Sequence, residues 1–209
     1  MTIVFTDEHA HDRNPTLHHD HRTISANDFR GAMRHLTGGV SVITAGRGRD
    51  ISGMTVTSVT SLSVDPPTVM VSINRDASSF PLLGRYGAFG VNILNADQLR
   101  IAERFAGKGG VKGADRFAGA EWIPAASGVP LLSGALAAFE CEVDEIIERY
   151  LHGIVIGVVK AVRVAARKPA LAYWHGEYVS IDQDQDAAKP AEMSSAGPDA
   201  HILRVLTGA

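Results

Sequence analysis

The stretch "GMTVTSVTSLSVDPPTVMVSINRDASSF", residues 53–80, says most about the fold of this 209-residue chain. Its first half alternates apolar residues with small hydroxyl side chains, which is the period of a β-strand. Pro66 and Pro67 end that half, and residues 68–73 then read as an apolar strand begun just after the prolines. The hydroxyl groups of the first half belong to Thr55, Thr57, Ser58, Thr60, Ser61 and Ser63. Either they face solvent on one side of a sheet, or they line a polar ligand site.

Strand patterns continue on both sides of this stretch, and helical patterns are few. Two helices are predicted, one after a Ser25 cap and one over 97–106. Gly153 and Gly157 predict a bend or bulge in the strand that contains them. The predicted strands cover 40–44, 51–56, 68–73, 88–94, 135–147, 152–165 and 170–181. Many strands joined by turns indicate a mainly β fold with an antiparallel barrel.

The predicted strand over 135–147 alternates between an apolar and an acidic side. Phe139, Cys141 and Val143 share the apolar side, so Cys141 is interpreted as a small buried hydrophobe. The acidic side is predicted to be a solvated face, formed by Glu140, Glu142 and Asp144.

Composition excludes several classes of protein. The formal net charge of −3 gives no basic excess for binding nucleic acid, and no apolar run is long enough to span a membrane. A single cysteine excludes an intramolecular disulfide and a thiolate metal cluster. The N-terminus lacks the apolar core of a signal peptide, so the expected location is the cytoplasm.

The two ends of the chain differ from its middle. Residues 1–24 contain five histidines without hydrophobic period and are predicted to be a disordered arm with no defined metal site. Residues 183–209 read as a polar linker with a short C-terminal apolar segment. The folded domain is therefore expected over 25–182.

Known nucleotide and catalytic motifs are missing from the sequence. "GRGRDISG" (46–53) lies between two strands and "GKGGVKG" (107–113) follows a helix, so neither has the context of a dinucleotide fingerprint or a P-loop. Lys108 and Lys112 could still neutralise a phosphate. No nucleophile–base motif is present, which indicates that a cofactor supplies any difficult chemistry.

Ser78 and Ser79 precede a short helical segment that begins with Phe80 and Pro81. Hydroxyls and free amides at a helix N-terminus form an anion site, although ordinary helix capping explains the same residues. Beside the hydroxyl-rich stretch, they would place a phosphate pocket next to a polar surface for a planar ring. That combination suits flavin mononucleotide.

Over about residues 26–182 the sequence resembles the flavin reductase-like, FMN-binding split-barrel family, which includes reductase components of two-component flavin monooxygenases. The resemblance implies a homodimer of six-stranded antiparallel split barrels with a few peripheral helices and flavin near the dimer interface. It also implies reduction of FMN or FAD by NADH or NADPH. The matching blocks are the opening stretch with "FRGAMRHLTGGVSVITA", "FGVNIL", "ERFAG", "GVPLL", "ALAAFECEV" and "LAYWHGEY".

The resemblance also implies roles for particular residues. The isoalloxazine ring would be contacted by Thr55, Val56, Thr57, Ser58, Ser61 and Leu62. The phosphate end would be held by Ser78, Ser79 and Phe80, and completed by Arg104, Phe105 and Gly107. His152 matches the histidine of a Gly-Asp-His signature on the nicotinamide side, although Tyr150 and Leu151 replace the glycine and aspartate. On period alone, His152 is a residue that begins a strand.

The function that follows is NAD(P)H-dependent flavin reduction, with reduced flavin supplied to a partner monooxygenase. Two alternatives stay open: a flavin-binding module without turnover, and a split-barrel flavin oxidase that acts on a small molecule. The sequence does not distinguish FMN from FAD or NADH from NADPH, and it does not identify a monooxygenase partner.

Overall fold

A computed structural model describes residues 24–182 and shows a mainly β fold with few helices. Its helices are α1 (Ala26–Met33), α2 (Phe80–Tyr86) and α3 (Leu99–Phe105), with 3-10 turns at Ala96–Gln98, Lys108–Gly110 and Gly113–Phe117. Its first six strands are β1 (Gly38–Gly39), β2 (Ser41–Arg47), β3 (Asp50–Val56), β4 (Thr60–Val64), β5 (Pro67–Asn74) and β6 (Ala88–Ile93). The others are β7 (Trp122–Pro124), β8 (Pro130–Leu132), β9 (Ala137–Arg149), β10 (His152–Val164), β11 (Ala170–Trp174) and β12 (Glu177–Ile181).

The main sheet is antiparallel and has the strand order β3-β2-β6-β9-β10-β5-β4. It therefore has seven strands, where the family resemblance implied six. The hydroxyl-rich half of the opening stretch is two strands, because β3 ends at Val56 and β4 begins at Thr60. The prediction of one strand over 170–181 was wrong. That segment is the hairpin β11–β12, which turns at His175 and Gly176, both at positive φ.

The main sheet curls until its first strand approaches the end of its sixth. Ser52 lies in β3 and Ser78 follows β5, yet their hydroxyl oxygens are 2.7 Å apart. In a flat sheet, strands five places apart would be separated by about 24 Å. The curl therefore creates a seam between β3 and the loop that follows β5, and this seam positions the candidate site.

Strand β2 is buried on both sides and separates two hydrophobic clusters. Val42 belongs to the cluster beneath α3 and the β7–β8 hairpin, whereas Ile43 belongs to the cluster inside the curled sheet. Helix α2 adds Leu82 and Leu83 to the inner cluster. Because the curled sheet is packed on both sides, the strands at the seam are held on a rigid support.

Gly157 allows β10 to bend over the inner cluster. The pairing of β9 with β10 shifts register between Ile156 and Gly157, which confirms the predicted irregularity. A Cβ atom at Gly157 would lie 2.4 Å from the ring of the fully buried Phe89. A side chain at this position would therefore displace that ring from the core.

Cys141 and Glu140 lie on opposite sides of β9, and both are buried. Cys141 is fully buried, which confirms its interpretation as a small buried hydrophobe, and burial raises the pKa of its thiol to about 12. The prediction that Glu140 faces solvent was wrong, because the Ser127 loop covers it and the Ser127 amide donates to its Oε1 atom at 2.6 Å. Glu142 and Asp144 are exposed as predicted.

Replacing Glu140 by glutamine should destabilise the protein at neutral pH and have little effect in acid. Burial of the carboxyl opposes its ionisation, but hydrogen bonds from Ser127 and the positive charge of Arg163 outweigh burial, and the pKa of Glu140 is lowered. A lowered folded-state pKa contributes stability above the unfolded-state value, and that contribution is lost as the pH falls through the folded-state value. Urea denaturation of both proteins at several pH values measures this. An equal difference in unfolding free energy at every pH would contradict it.

Helix α1 belongs to a unit of the chain that is separate from the one containing the sheets. The Asp28 amide donates to the Ser25 hydroxyl at 3.1 Å, which confirms the predicted cap. The predicted arm over 1–24 and the linker over 183–209 fall almost wholly outside the described residues. Among the residues described, no helix is long and apolar enough to cross a membrane.

Candidate functional site

A cavity of about 450 Å³ opens at the seam between β3 and the loop after β5, and we call it the main pocket. Three segments distant in sequence form its walls: the end of β3, the loop after β5, and the region from the end of α3 to Arg116. Its lining residues are Met54, Thr55, Asn74, Asp76, Ala77, Ser78, Phe105, Ala106, Lys112 and Arg116. This volume lies within the range of about 300–1,000 Å³ found for small-molecule sites.

The loop after β5 carries polar groups that the protein itself does not fully satisfy. The Ser79 hydroxyl is buried and has no hydrogen-bond partner among the described residues. It makes no capping bond to α2, so ordinary helix capping does not explain it. Within residues 24–182, the Ser78 and Ser79 amides also have no acceptor. Buried polar groups in proteins are nearly always paired, so the Ser79 hydroxyl is suited to a ligand that accepts hydrogen bonds.

Arg75 fixes this loop against the β9–β10 hairpin. Its amide donates to the Leu151 carbonyl at 2.9 Å, and its guanidinium donates to the Tyr150 carbonyl at 3.1 Å. The same guanidinium forms an ion pair with Glu148 at 2.5 Å. The hairpin tip and the loop after β5 are therefore one connected wall.

Helix α3 forms the opposite wall and is attached to β3. The Thr55 hydroxyl donates to the Ala102 carbonyl at 2.6 Å, so this side chain holds the helix in place. Arg116 lies at the end of the wall, where it donates to the carbonyls of Gly53 at 2.7 Å and Val111 at 3.0 Å. Its guanidinium is thereby fixed in the pocket lining with carbonyl partners instead of a carboxylate.

Lys112 and Lys108 differ, although the sequence suggested both for a phosphate. Lys112 lines the main pocket, and it has no ion-pair partner in the described part of the chain. Lys108 is paired with Glu103 at 2.5 Å and does not line the pocket. Lys112 and Arg116 therefore supply positive charge to the main pocket, whose lining also contains Ser78 and Asp76.

The structure brings together only part of the predicted ring-binding set. Thr55 lines the main pocket, but its hydroxyl is already committed to α3. The Val56 side chain is buried in the inner cluster. Because β3 ends there, the remaining members lie beyond the pocket lining on exposed backbone: Thr57, Ser58, Ser61 and Leu62. The Ser58 hydroxyl donates to the Ser72 carbonyl at 2.9 Å.

The predicted phosphate set is closer to the pocket. Ser78 and Phe105 line it, and Ser79 is adjacent in the chain. Phe80 packs against Gly153, where a Cβ atom would lie 2.4 Å from the Phe80 ring. Gly107 ends α3 at a φ of 93°, a left-handed conformation that favours glycine. Arg104 is turned away from the main pocket and donates to the Ala118 carbonyl.

His152 is exposed and begins β10, as its period predicts. It is not part of the pocket lining. In the pairing of β10 with β5 it lies opposite Asn74, and Asn74 does line the pocket. Tyr150 has a φ of 50° at the preceding hairpin tip, a position that glycine occupies at little cost. The backbone here therefore has the conformation suited to the glycine of the family signature, although a tyrosine is present.

Sequence reasoning missed several lining residues: Met54, Asn74, Asp76, Ala77, Ala106 and Arg116. Asn74 was detectable as the last residue of a strand, and its Oδ1 atom accepts from the Asp76 amide at 2.9 Å. Arg116 had no signal, because its contact with Gly53 joins residues that are 63 apart in sequence.

Comparison with known proteins identifies the family to which this arrangement belongs. The model of the flavin reductase-like domain matches residues 33–182, which include every wall of the main pocket. The chain belongs to the flavin reductase-like family. Within the family, it is 36% identical over 154 residues to an FMN reductase (NADH), RutF 2, from Methylorubrum extorquens; the match covers 74% of this chain and 88% of that protein.

Two further proteins show a similar extent of likeness to this chain. An actinorhodin polyketide dimerase from Streptomyces coelicolor is 36% identical over 154 residues, covering 73% of this chain and 85% of the relative. The flavin reductase of styrene monooxygenase from Pseudomonas putida S12 has a solved structure. It superposes with a TM-score of 0.65 and 33% identity, covering 74% of this chain and 97% of the other.

Proposed function

We propose that this protein is an NAD(P)H:flavin oxidoreductase that reduces FMN or FAD and supplies the reduced flavin to a monooxygenase. The observation that carries the proposal is the main pocket, whose lining brings Ser78 together with Lys112 and Arg116; the buried, unpaired Ser79 hydroxyl is next to Ser78 in the chain. The reductase relatives named above support the nicotinamide donor and the monooxygenase partner.

The residues present fit a flavin mononucleotide. A phosphate requires hydrogen-bond donors and positive charge, which the Ser78 amide and Lys112 can supply from the pocket lining, with Ser79 next to Ser78 in the chain. A planar ring requires an apolar wall, which Met54 and Phe105 can supply. When bound, the flavin supplies the ring that accepts a hydride from the nicotinamide. The contribution of the chain is to orient the two ligands and to donate hydrogen bonds.

The more detailed assignments belong to the same proposal. We assign the curled sheet to the six-stranded split-barrel architecture of the family, with β4 as an additional edge strand. The exposed ring-binding candidates on and before β4 would then reach a flavin held near a second subunit. His152, next to Asn74 at the pocket edge, is assigned to the nicotinamide side.

The test of the proposal is the oxidation of NADH by the purified protein in the presence of FMN, followed through NADH absorbance. We expect turnover that depends on both ligands, and NADPH and FAD in the same assay determine the preferred pair. Binding of FMN without NADH oxidation would instead support a flavin-binding module. The altered Tyr150-Leu151 tip is what favours that candidate.

The similarity to one relative supports a second candidate for the enzymatic function. The chain is 36% identical over 154 residues both to a polyketide dimerase and to the FMN reductase, so a split-barrel flavin oxidase that acts on a small organic molecule is kept as the second candidate. Oxygen consumption that requires an organic substrate and proceeds without NADH would support this candidate against flavin reduction.

A homodimer is expected in solution. The edge strand β4 exposes Leu62 and Val64, and the β9–β10 hairpin exposes Tyr150 and Leu151, so apolar surface is left uncovered in one copy. Light scattering at micromolar protein with FMN present measures the mass. A monomer under these conditions would contradict the homodimer.

Deletion of residues 1–24 should leave the fold and the FMN affinity nearly unchanged. The segment has no hydrophobic period, and every residue that lines the main pocket lies C-terminal to Gly53. Thermal unfolding and FMN titration of the shortened protein check this expectation. Loss of flavin binding would show that the N-terminal boundary of the domain is misplaced.

A further inference from the structure

Among the described residues that line the main pocket, Met54 alone carries a sulfur atom. Its side chain is half-buried and packs against the inner cluster. Residues two apart in a strand share a face, so Met54 lies on the same face of β3 as Ser52, whose hydroxyl oxygen is 2.7 Å from that of Ser78. Since Ser78 also lines the pocket, this face of β3 borders the loop after β5, and the Met54 thioether is accessible from the pocket.

The other sulfur atoms in the described part of the chain are in different surroundings. Cys141 is fully buried, and burial raises the pKa of its thiol to about 12, so the reactive thiolate is not formed at neutral pH. Met70 lies in β5 and does not line the main pocket, whereas Met33 in α1 is 45% exposed. Methionine is oxidised to its sulfoxide where an oxidant reaches its sulfur. An oxidant in bulk solvent therefore reaches Met33 readily, and an oxidant formed in the main pocket reaches Met54.

The proposed reaction brings such an oxidant to the pocket. Its product is reduced flavin, which reacts with dioxygen when no monooxygenase consumes it. Met54 belongs to the apolar wall to which the flavin ring is assigned, so its thioether is available when that reaction occurs in the pocket. Two electrons and two protons then pass from reduced flavin to dioxygen. One oxygen atom bonds to the Met54 sulfur and the other leaves as water, so the products are oxidised flavin, water and methionine sulfoxide.

We propose that Met54 is a modification site, at which dioxygen and reduced flavin in the main pocket convert methionine to its sulfoxide. The inference rests on the proposed flavin reductase function, because that function supplies the reduced flavin. The sulfoxide replaces an apolar group in the wall of the pocket by a polar one. Flavin binding therefore weakens when reduced flavin accumulates without an acceptor, and it recovers when the sulfoxide is reduced.

The first experiment locates the oxidised methionine by peptide mass spectrometry of the full-length protein. The protein is either turned over with NADH and FMN in air, with and without catalase, or exposed to hydrogen peroxide without NADH. We expect turnover to oxidise Met54 more than Met33, and peroxide alone to oxidise Met33 more than Met54. Turnover without dioxygen should oxidise neither. Oxidation of Met54 that is no greater than that of Met33 during turnover, or that catalase prevents, would overturn the inference.

The second experiment measures the affinity for FMN before and after turnover in air. The wild type should lose about tenfold, because a polar sulfoxide would lie against the ring, and treatment with methionine sulfoxide reductases should restore the affinity. Met54→Leu has no sulfur at this position and should show no such loss. Met33→Leu is the matched control and should lose affinity like the wild type. An equal loss in Met54→Leu and the wild type would overturn the inference.

Failure of the inference is distinguishable from failure of the proposed function. Wild-type protein that oxidises NADH with FMN in air while Met54 stays unmodified would contradict the inference alone. Wild-type protein that binds FMN without oxidising NADH would contradict the reductase function. In that case FMN reduced by light replaces NADH as the source of electrons, and the same comparison of Met54 with Met33 still decides whether the pocket methionine is modified.

Discussion

Replacing Ser79 by alanine is expected to weaken FMN binding by about tenfold to a hundredfold, while the flavin-free protein becomes no less stable. The Ser79 hydroxyl is only 1% exposed and has no partner in the described chain, so the folded protein bears the cost of burying it. A ligand phosphate would satisfy that hydroxyl. Its removal therefore affects the bound and free proteins in opposite directions.

Flavin fluorescence titration and thermal unfolding of flavin-free protein measure the two effects of Ser79→Ala. Ser63→Ala is the matched control, because its hydroxyl donates to the Asp65 carbonyl at 3.0 Å, away from the main pocket. We expect the control to bind FMN like the wild type. A Ser79→Ala protein that binds FMN normally, or that melts well below the wild type, would show that this hydroxyl is structural. Adding Ser78→Ala should weaken FMN binding further.

Replacing His152 by alanine should impair the use of the nicotinamide donor and leave FMN binding almost unchanged. His152 is exposed and opposite Asn74 at the pocket edge, so it can contact a second ligand without being part of the flavin pocket. Loss of one hydrogen bond costs about 1–2 kcal/mol, which corresponds to about a tenfold rise in KM for NAD(P)H or fall in kcat. Steady-state kinetics and FMN titration separate the two ligands. If the variant has unchanged kinetics with the donor but a lower melting temperature, then His152 has only a structural role at the start of β10.

The hairpin tip before His152 provides a companion variant. Tyr150→Gly with Leu151→Asp restores the family signature, and the positive φ at Tyr150 is a conformation that glycine adopts without strain. The variant should therefore fold. If the signature residues at the tip help to bind the donor, the KM of this variant for NAD(P)H should be lower than that of the wild type, whereas His152→Ala should raise it.

Local patterns in the sequence were sufficient for the fold class. Alternation identified β2, β5, β6, β9 and β10, and the Ser25 cap located the start of α1, because these signals depend on neighbouring residues. The errors arose where local period was ambiguous. The predicted strand over 51–56 ended where β3 ends, but β4 was not predicted as a separate strand, because the hydroxyl-rich run alternates in the same way on both sides of Val56. The turn within 170–181 was also missed.

The candidate site was predictable only in part. Ser78 and Ser79 were found because two serines before a helix are a local signal. Arg116 was not, because the turn Gly113–Phe117 that carries it packs on β3, 63 residues away in sequence from Gly53, and no local pattern encodes that approach. Glu140 was misjudged for a similar reason: the Ser127 loop that covers it belongs to a different part of the chain. Contacts between segments that are distant in sequence were therefore what local patterns could not predict at the site.

The seam between β3 and the loop after β5 has a consequence for the kinetics of folding. The Ser52–Ser78 contact and the Arg116–Gly53 contact join segments that are 26 and 63 residues apart in sequence. Contacts of this separation are slow to form, because the entropy of closing the intervening chain must be lost first. The pocket walls therefore meet late, after the hairpins have formed, and partly folded chains should not recognise a nucleotide. A flavin in the cell would then bind only fully folded molecules. It would shift the population toward the native state, and the shift would grow with the concentration of free flavin.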